Sequence, residues 1–232
     1  MQFTGERLII SEDIALEKEH LDRYNYASQF VPGKKVLDMA CGTGYGSKLL
    51  KLSGSSYVLG IDISSEAVNN AKSRCKTQDL DFIVGSAENV CVRDKVFDLI
   101  ISFETIEHLN KYSDYLKEIK RLLKDDGLFI ISTPNKKFSI PNPYHLHEFY
   151  LEEFRELLLR HFYEVDFLGQ DYQTLKKRIM RSFISLIPRF IRNRLVSKRV
   201  RDNFNLKQYV GIVDKGLENC RFFIVACKNL KR

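Results

Sequence analysis

Four short stretches of this chain hold residue types whose spacing could do chemistry. The first is Val36-Leu37-Asp38-Met39-Ala40-Cys41-Gly42-Thr43-Gly44-Tyr45-Gly46, an apolar run that ends in an acid and then in three alternating glycines. Glycines permit a tight turn and let backbone approach a ligand closely. The glycines run G-x-G-x-G and Ser47 follows, which is not the spacing of a dinucleotide fingerprint. A carboxylate at Asp38 suits a ligand carrying an ammonium group and opposes a pyrophosphate. The second stretch ends in Asp62, twenty residues after Gly42, where a carboxylate can accept both hydroxyl protons of a ribose. The third, Ser86-Ala87-Glu88, falls where the base edge of such a ligand would lie. The three together make a site for a nucleoside joined to an amino acid.

The fourth stretch is Phe103-Glu104-Thr105-Ile106-Glu107-His108. If it opens a helix, Glu104, Glu107 and His108 stand at i, i+3 and i+4 and share one face. Two carboxylates and an imidazole converging there can bind a divalent cation or act as a base. Downstream, Thr133-Pro134-Asn135 leads to His145-Leu146-His147-Glu148-Phe149, whose histidines could reach the same crevice.

The elements that must position these residues alternate. Strands are expected at Lys35–Ala40, Tyr57–Ile63, Asp81–Gly85, Phe97–Phe103, Gly127–Thr133, Glu164–Gly169 and Arg221–Lys228. Their nearly unbroken apolar runs suit strands covered on both faces. Helices are expected at Ser47–Ser53, Ser65–Lys76 and Tyr112–Lys124, with Ser64 or Ser65 as a cap and Asp125-Asp126-Gly127 as a closing turn. Such alternation specifies an α/β fold: a seven-stranded, mostly parallel sheet with helices on both faces. The fifty residues before the last strand are too many for a plain loop and read as a helical insertion. The organisation expected is a helical lead-in or lid over 1–33, a ligand-binding core over 34–170, the insertion over 171–219, and the last core strand over 220–232.

On these residues the sequence resembles the class I S-adenosylmethionine-dependent methyltransferases, which have a Rossmann-like sheet. The resemblance is carried by Asp38–Gly46, Gly60-Ile61-Asp62, Gly85-Ser86-Ala87-Glu88, Phe97-Asp98-Leu99-Ile100 and Leu122-Leu123-Lys124-Asp125-Asp126-Gly127. It implies S-adenosyl-L-methionine as cofactor, with Asp38, Ala40, Gly42 and Gly44 at the methionine part. It further implies Asp62 and Ile63 at the ribose, Ser86, Ala87 and Glu88 at the adenine, and Phe103 beside them. Gly5-Glu6-Arg7 and His20–Tyr24 resemble the lead-in of bacterial methyltransferases found with polysaccharide synthesis. There Arg7 or Arg23 could meet the methionine carboxylate as a charge-assisted fork.

The ExxEH stretch with its downstream histidines resembles two metal-dependent groups, the ubiquinone-pathway O-methyltransferases and the small-RNA 3′-terminal 2′-O-methyltransferases. That likeness implies Glu104, Glu107, His108 and His147 as ligands of Mg, Mn or Zn. Methyltransferases without a known metal carry Glu-His at this place too, so His108, with Glu107, also stands as the acid–base group. The leading expectation is O-methylation of a saccharide or other small-molecule hydroxyl, on a free or lipid-linked acceptor. An RNA 2′-hydroxyl, a catechol or quinone precursor, and a non-catalytic cofactor-binding scaffold are the alternatives.

Composition bears on partners. Of 232 residues, 44% are hydrophobic and 29% charged, as in an ordinary globular protein. The net charge of +7 sits in one place: from Lys176 to Lys207 eleven Lys or Arg face a single acid, Asp202, while the remainder carries 26 basic and 29 acidic residues. Cations interleave with Ile179, Phe183, Ile187, Phe190, Ile191 and Leu195, so 176–201 could be a substrate lid or a peripheral contact with an anionic membrane. A slightly acidic body weighs against nucleic acid. Five unpatterned cysteines and no leading apolar run suggest a cytoplasmic protein, in reach of the inner membrane face.

Overall fold

The computed structural model describes residues 14–139, 141–170 and 212–229. Helix α1 (Ile14–Ser28) precedes β1 (Lys35–Met39), α2 (Tyr45–Leu52), β2 (Tyr57–Asp62), α3 (Ser65–Arg74) and β3 (Leu80–Val84). Then follow β4 (Phe97–Phe103), α4 (Tyr112–Leu122), β5 (Leu123–Pro134), α5 (Leu151–Leu159), β6 (Glu164–Gln170), β7 (Ile212–Val213) and β8 (Phe222–Lys228). The sheet order is β3-β2-β1-β4-β5-β8-β6-β7. The first five strands pair in parallel, and β8 inserts antiparallel between β5 and β6.

Period-2 alternation explains why both faces are apolar. Leu37, Ile100, Phe129, Ile131 and Val225 face α4 and α5, where Tyr115, Leu116, Ile119, Phe154 and Leu158 cover them. Val36, Val58, Leu99, Ile101 and Ile224 face the other way, against Tyr24, Ala27, Leu50, Val68 and Ala71 of the first three helices. Strands β1, β2 and β4 are thus enclosed, as their unbroken hydrophobic runs required, while the edge strand β3 alternates between buried and exposed residues. Ser64 caps α3 by accepting the Ala67 N–H at 3.2 Å.

Close packing, rather than ligand approach, accounts for two of the glycines. A Cβ on Gly46 would stand 2.1 Å from the Tyr24 ring, and one on Gly60 would stand 2.5 Å from Phe82. Helix α2 therefore reaches α1, and β2 reaches β3's side chains, only without a side chain in between.

Two elements differ from the sequence expectation. The Asp125-Asp126-Gly127 turn lies inside β5, which starts at Leu123; pairing jumps from Phe97↔Leu123 to Leu99↔Leu128, so the intervening residues bulge. A side chain on Gly127 would meet Leu123 Cγ at 2.6 Å, which is why the bulge takes glycine. The second concerns the insertion. Its described part, from Ile212, is not helical throughout: Ile212 and Val213 pair with Gln170 and Gly169, as β-branched residues beside an open strand edge do, and Leu217–Asn219 form a single 3-10 turn. The basic stretch 176–201 and Arg7 lie outside the described residues.

Strand β1 neighbours β2 on one side and β4 on the other, so the chain reverses its direction of travel across the sheet there. Ligands of open α/β sheets bind in the crevice outside the strand ends at such a point.

Candidate active site

A cavity of about 430 Å³ opens at that point, over the carboxyl ends of β1, β2 and β4. It is of the size that small-molecule sites have. Eight of the residues expected to hold the cofactor line it: Ala40, Gly42, Asp62, Ile63, Ser86, Ala87, Glu88 and Phe103. The floor is a strained turn, with Ala40 at φ 57°, Gly42 at φ 55° and Gly44 at φ 79°. Asp62 ties the turn to β2. Its Oδ2 accepts the Gly42 N–H at 2.8 Å and its Oδ1 the Ser64 N–H at 2.9 Å, leaving the second lone pair of each oxygen for a ligand. Ser86 Oγ accepts the Glu88 N–H at 3.2 Å, which folds the β3 exit back over the cavity rim.

Three expected residues stand elsewhere. Asp38 is fully buried beneath the turn and does not line the cavity. Tyr24 donates to its Oδ1 at 3.0 Å and Ser47 to its Oδ2 at 2.5 Å, so this carboxyl braces α1 and α2 against β1 rather than meeting an ammonium group. Gly44 likewise packs inward, since a Cβ there would touch Ala71 and Phe82 at 2.7 Å. Arg23, with no exposed surface, is drawn away from the cavity by Gln170, whose Oε1 accepts from Nε at 2.7 Å. Its guanidinium also lies 4.4 Å over Phe222 and pairs with Glu104 at 3.3 Å.

Burial pushes the Asp38 carboxyl up from 3.8 to about 7, against the opposing pull of the Ser47 and Tyr24 hydroxyls. In the unfolded chain this acid ionises near pH 4, so between about pH 4 and pH 7 the folded state holds a proton that the unfolded state has lost. Stability due to this group is therefore complete below about pH 4 and falls as pH rises to about 7, by about 4 kcal/mol for a three-unit shift. Thermal unfolding of the cofactor-free protein at a series of pH values should show that decline, and Asp38→Asn should flatten it. An unchanged slope in the variant would assign the decline to another group.

Of α1, the sequence reading placed Arg23 at the site, whereas the cavity wall is made by other residues of the same helix. His20 and Tyr24 both line the cavity, and their i, i+4 spacing on one helix face was the available signal. Burial, aided by the Arg23 charge, holds the His20 imidazole well below its ordinary range. Tyr45, Thr105, Leu109 and Asn110 also line the cavity without having been singled out.

The ExxEH stretch does not open an α-helix. Glu104 takes φ 51°, and only Ile106–His108 form a 3-10 turn, so the three side chains do not share one helix face. Glu104 accepts from Ser132 Oγ at 2.7 Å and pairs with Arg23. Glu107 is fully buried; Thr133 donates to its Oε2 at 3.0 Å, and burial with the neighbouring Glu104 charge raises its carboxyl well above the carboxylate range. His108 lines the cavity, and its Nδ1 lies 3.0 Å from the Tyr144 carbonyl oxygen. His147, expected as the fourth ligand, turns the other way. Its Nε2 meets Glu153 at 2.8 Å and its ring packs on Phe149. His145 takes the inner place, 5.0 Å from the His108 ring. The cause is local: the Glu107 carbonyl accepts both the Leu146 N–H at 2.8 Å and the His147 N–H at 3.1 Å, which lays this loop across the turn with His145 inward.

A methyltransferase domain family matches residues 37–131, from β1 into β5 and across every cavity residue those strands supply. Over those residues the chain is similar to the domains of class I S-adenosylmethionine-dependent methyltransferases. A "Probable S-adenosylmethionine-dependent methyltransferase" of Mycolicibacterium smegmatis is 29% identical over 174 residues, covering 72% of this chain and 66% of that protein. The ubiquinone biosynthesis O-methyltransferase of Pelagibacter ubique is 38% identical over 104 residues, 44% of this chain and 42% of its own length. This chain thus spans about two thirds or less of the curated relatives it matches. In fold, the crystal structure of YcgJ from Bacillus subtilis superposes with a TM-score of 0.65 at 18% identity, covering 92% of this chain and all of that one.

The methyltransferase cavity fits its cofactor in charge as well as size. Asp62, Glu88 and Glu104 line it, and no Lys or Arg does so among the described residues. That lining attracts a sulfonium and an ammonium group and repels a diphosphate. S-adenosylmethionine supplies an activated methyl group with a ready leaving group; the domain supplies position.

Proposed function

We propose that the chain methylates an oxygen of a saccharide or other small-molecule hydroxyl compound, using S-adenosylmethionine. The observation that carries this reading is the 3.0 Å contact between His108 Nδ1 and the Tyr144 carbonyl oxygen. A carbonyl oxygen only accepts hydrogen bonds, so the Nδ1 facing Tyr144 bears the proton and the lone pair sits on Nε2. An amine nucleophile carries its own lone pair, whereas a hydroxyl is a weak nucleophile until its proton is drawn off. A basic nitrogen at the cavity wall answers that need.

Beside His145 a second, shallow cavity of about 600 Å³ is bordered by Lys136, Ser139, Asn142 and Glu148, with Tyr144 half-exposed nearby. Such a mix of donors, acceptors and an aromatic face suits a polyhydroxyl acceptor. The likeness to an O-methyltransferase of ubiquinone biosynthesis keeps a catechol as the second reading. No helix of the described residues is long and apolar enough to cross a membrane.

Incubation with methyl-labelled S-adenosylmethionine and a panel of nucleotide sugars, catechols, amines and short RNA tests the proposal. Label on a sugar or other small hydroxyl is expected. Transfer confined to nitrogen, or to RNA, would overturn it.

A further inference from the structure

Three rings meet at the cofactor cavity, and nothing said so far uses them. Tyr24, Tyr45 and Phe103 all line it. The Tyr24 ring lies 5.6 Å from that of Tyr45 at 72° and 5.0 Å from that of Phe103 at 76°, so it stands nearly square to both. Three separate elements bring them together: Tyr24 comes from α1, Tyr45 opens α2 and Phe103 closes β4. The last glycine of the G-x-G-x-G run makes room for them, because any Cβ on Gly46 would strike the Tyr24 ring. Tyr24 is locked in place by its hydroxyl, which donates to the buried Asp38 at 3.0 Å. Burial, with the Asp38 charge beside it, holds that phenol well above its ordinary range, so the ring stays neutral.

Neutral rings at the wall of an acid-lined cavity answer one chemical group in particular. A sulfonium carries a full positive charge but no N–H or O–H, so it cannot donate a conventional hydrogen bond. The negative face of an aromatic ring attracts such a cation through its quadrupole. Of the lining acids, Asp62 is expected at the ribose and Glu88 at the adenine, while Glu104 is engaged by Ser132 and Arg23. The sulfur is bonded to the ribose C5′ carbon, and only β1 separates Asp62 at the end of β2 from Phe103 at the end of β4.

We infer that Tyr24, Tyr45 and Phe103 form an aromatic cage for the sulfonium, which selects the charged methyl donor over the uncharged thioether left after transfer. The inference rests on S-adenosylmethionine as cofactor and adds a device for exchanging spent product for fresh donor. Once the methyl group has gone the sulfur is neutral and the cation–π attraction vanishes, whereas the ribose and adenine contacts are the same in both ligands. The rings therefore favour the departure of S-adenosylhomocysteine.

Calorimetric titration of the full chain with S-adenosylmethionine and with S-adenosylhomocysteine, in the absence of acceptor, reads the cage as a ratio of two dissociation constants. Tyr45→Leu is expected to weaken S-adenosylmethionine about three- to tenfold, the range of one partly desolvated cation–π contact, and S-adenosylhomocysteine by less than about twofold. Phe103→Leu should move the ratio the same way. Tyr45→Phe keeps the ring and should keep the parent ratio. A merely structural loss would weaken both ligands alike. Circular dichroism checks folding; should Phe103→Leu unfold, the two Tyr45 variants carry the comparison. Equal weakening of both ligands by Tyr45→Leu, or a Tyr45→Phe ratio that matches Tyr45→Leu, overturns the cage and leaves the cofactor standing. A parent protein that binds neither ligand would overturn the cofactor, and the cage with it.

Discussion

Asp62→Ala is expected to weaken S-adenosylhomocysteine binding at least about a hundredfold, measured by calorimetry. Each hydrogen bond from a ribose hydroxyl to a carboxylate contributes about 1.5–3 kcal/mol, and the variant removes two. The same carboxylate receives the Gly42 and Ser64 N–H groups, so the loss also loosens the strained turn. Asp62→Asn keeps one acceptor oxygen and should fall between the two. NAD, titrated in parallel, should not bind the parent, because among the described residues the lining offers acids and no cation to a diphosphate. Tight NAD binding with S-adenosylhomocysteine ignored would remove the basis of every functional statement above.

The second large effect is on turnover. His108→Ala should lower kcat on the accepted hydroxyl by about 10²–10⁴-fold, the range a positioned base or its equivalent contributes. Affinity for S-adenosylhomocysteine should stay at the parent value, since the residues expected at the ribose and adenine lie on β2 and after β3. Glu107→Ala should act in the same direction, with an added loss of stability because the side chain is fully enclosed. Full kcat in His108→Ala would dismiss both the base and the metal reading at once. Chelation then separates those two: activity that survives metal removal leaves His108 to take the proton itself.

The strands and the place of Asp62 at the cavity were legible because period and length constrain them. Gly60-Ile61-Asp62 ends a buried strand at a fixed distance from the turn, and only one geometry is open to it. Asp38 was misread for a reason that the sequence held. It shares parity with Val36, so alternation along β1 sends it toward α1 and α2 and under the turn, where Tyr24 and Ser47 wait. His145 and His147 were not separable in the same way. They lie in a stretch without periodicity, two residues apart, and the choice between them is made by two N–H groups on the Glu107 carbonyl. Glu104 was lost to the helix assumption, since a left-handed residue at the strand end breaks any i, i+3 relation.

The bonds from Leu146 and His147 to that one carbonyl have an implication for how such a domain diversifies. Every described residue that lines the candidate cofactor cavity lies before Pro134, whereas the segment proposed to meet the acceptor is strung between β5 and α5 and is stitched to the rest at the residue preceding His108. A graft that exchanged residues 136–148 for another sequence, keeping those two amides and an inward imidazole, would retarget the reaction while inheriting the donor half intact.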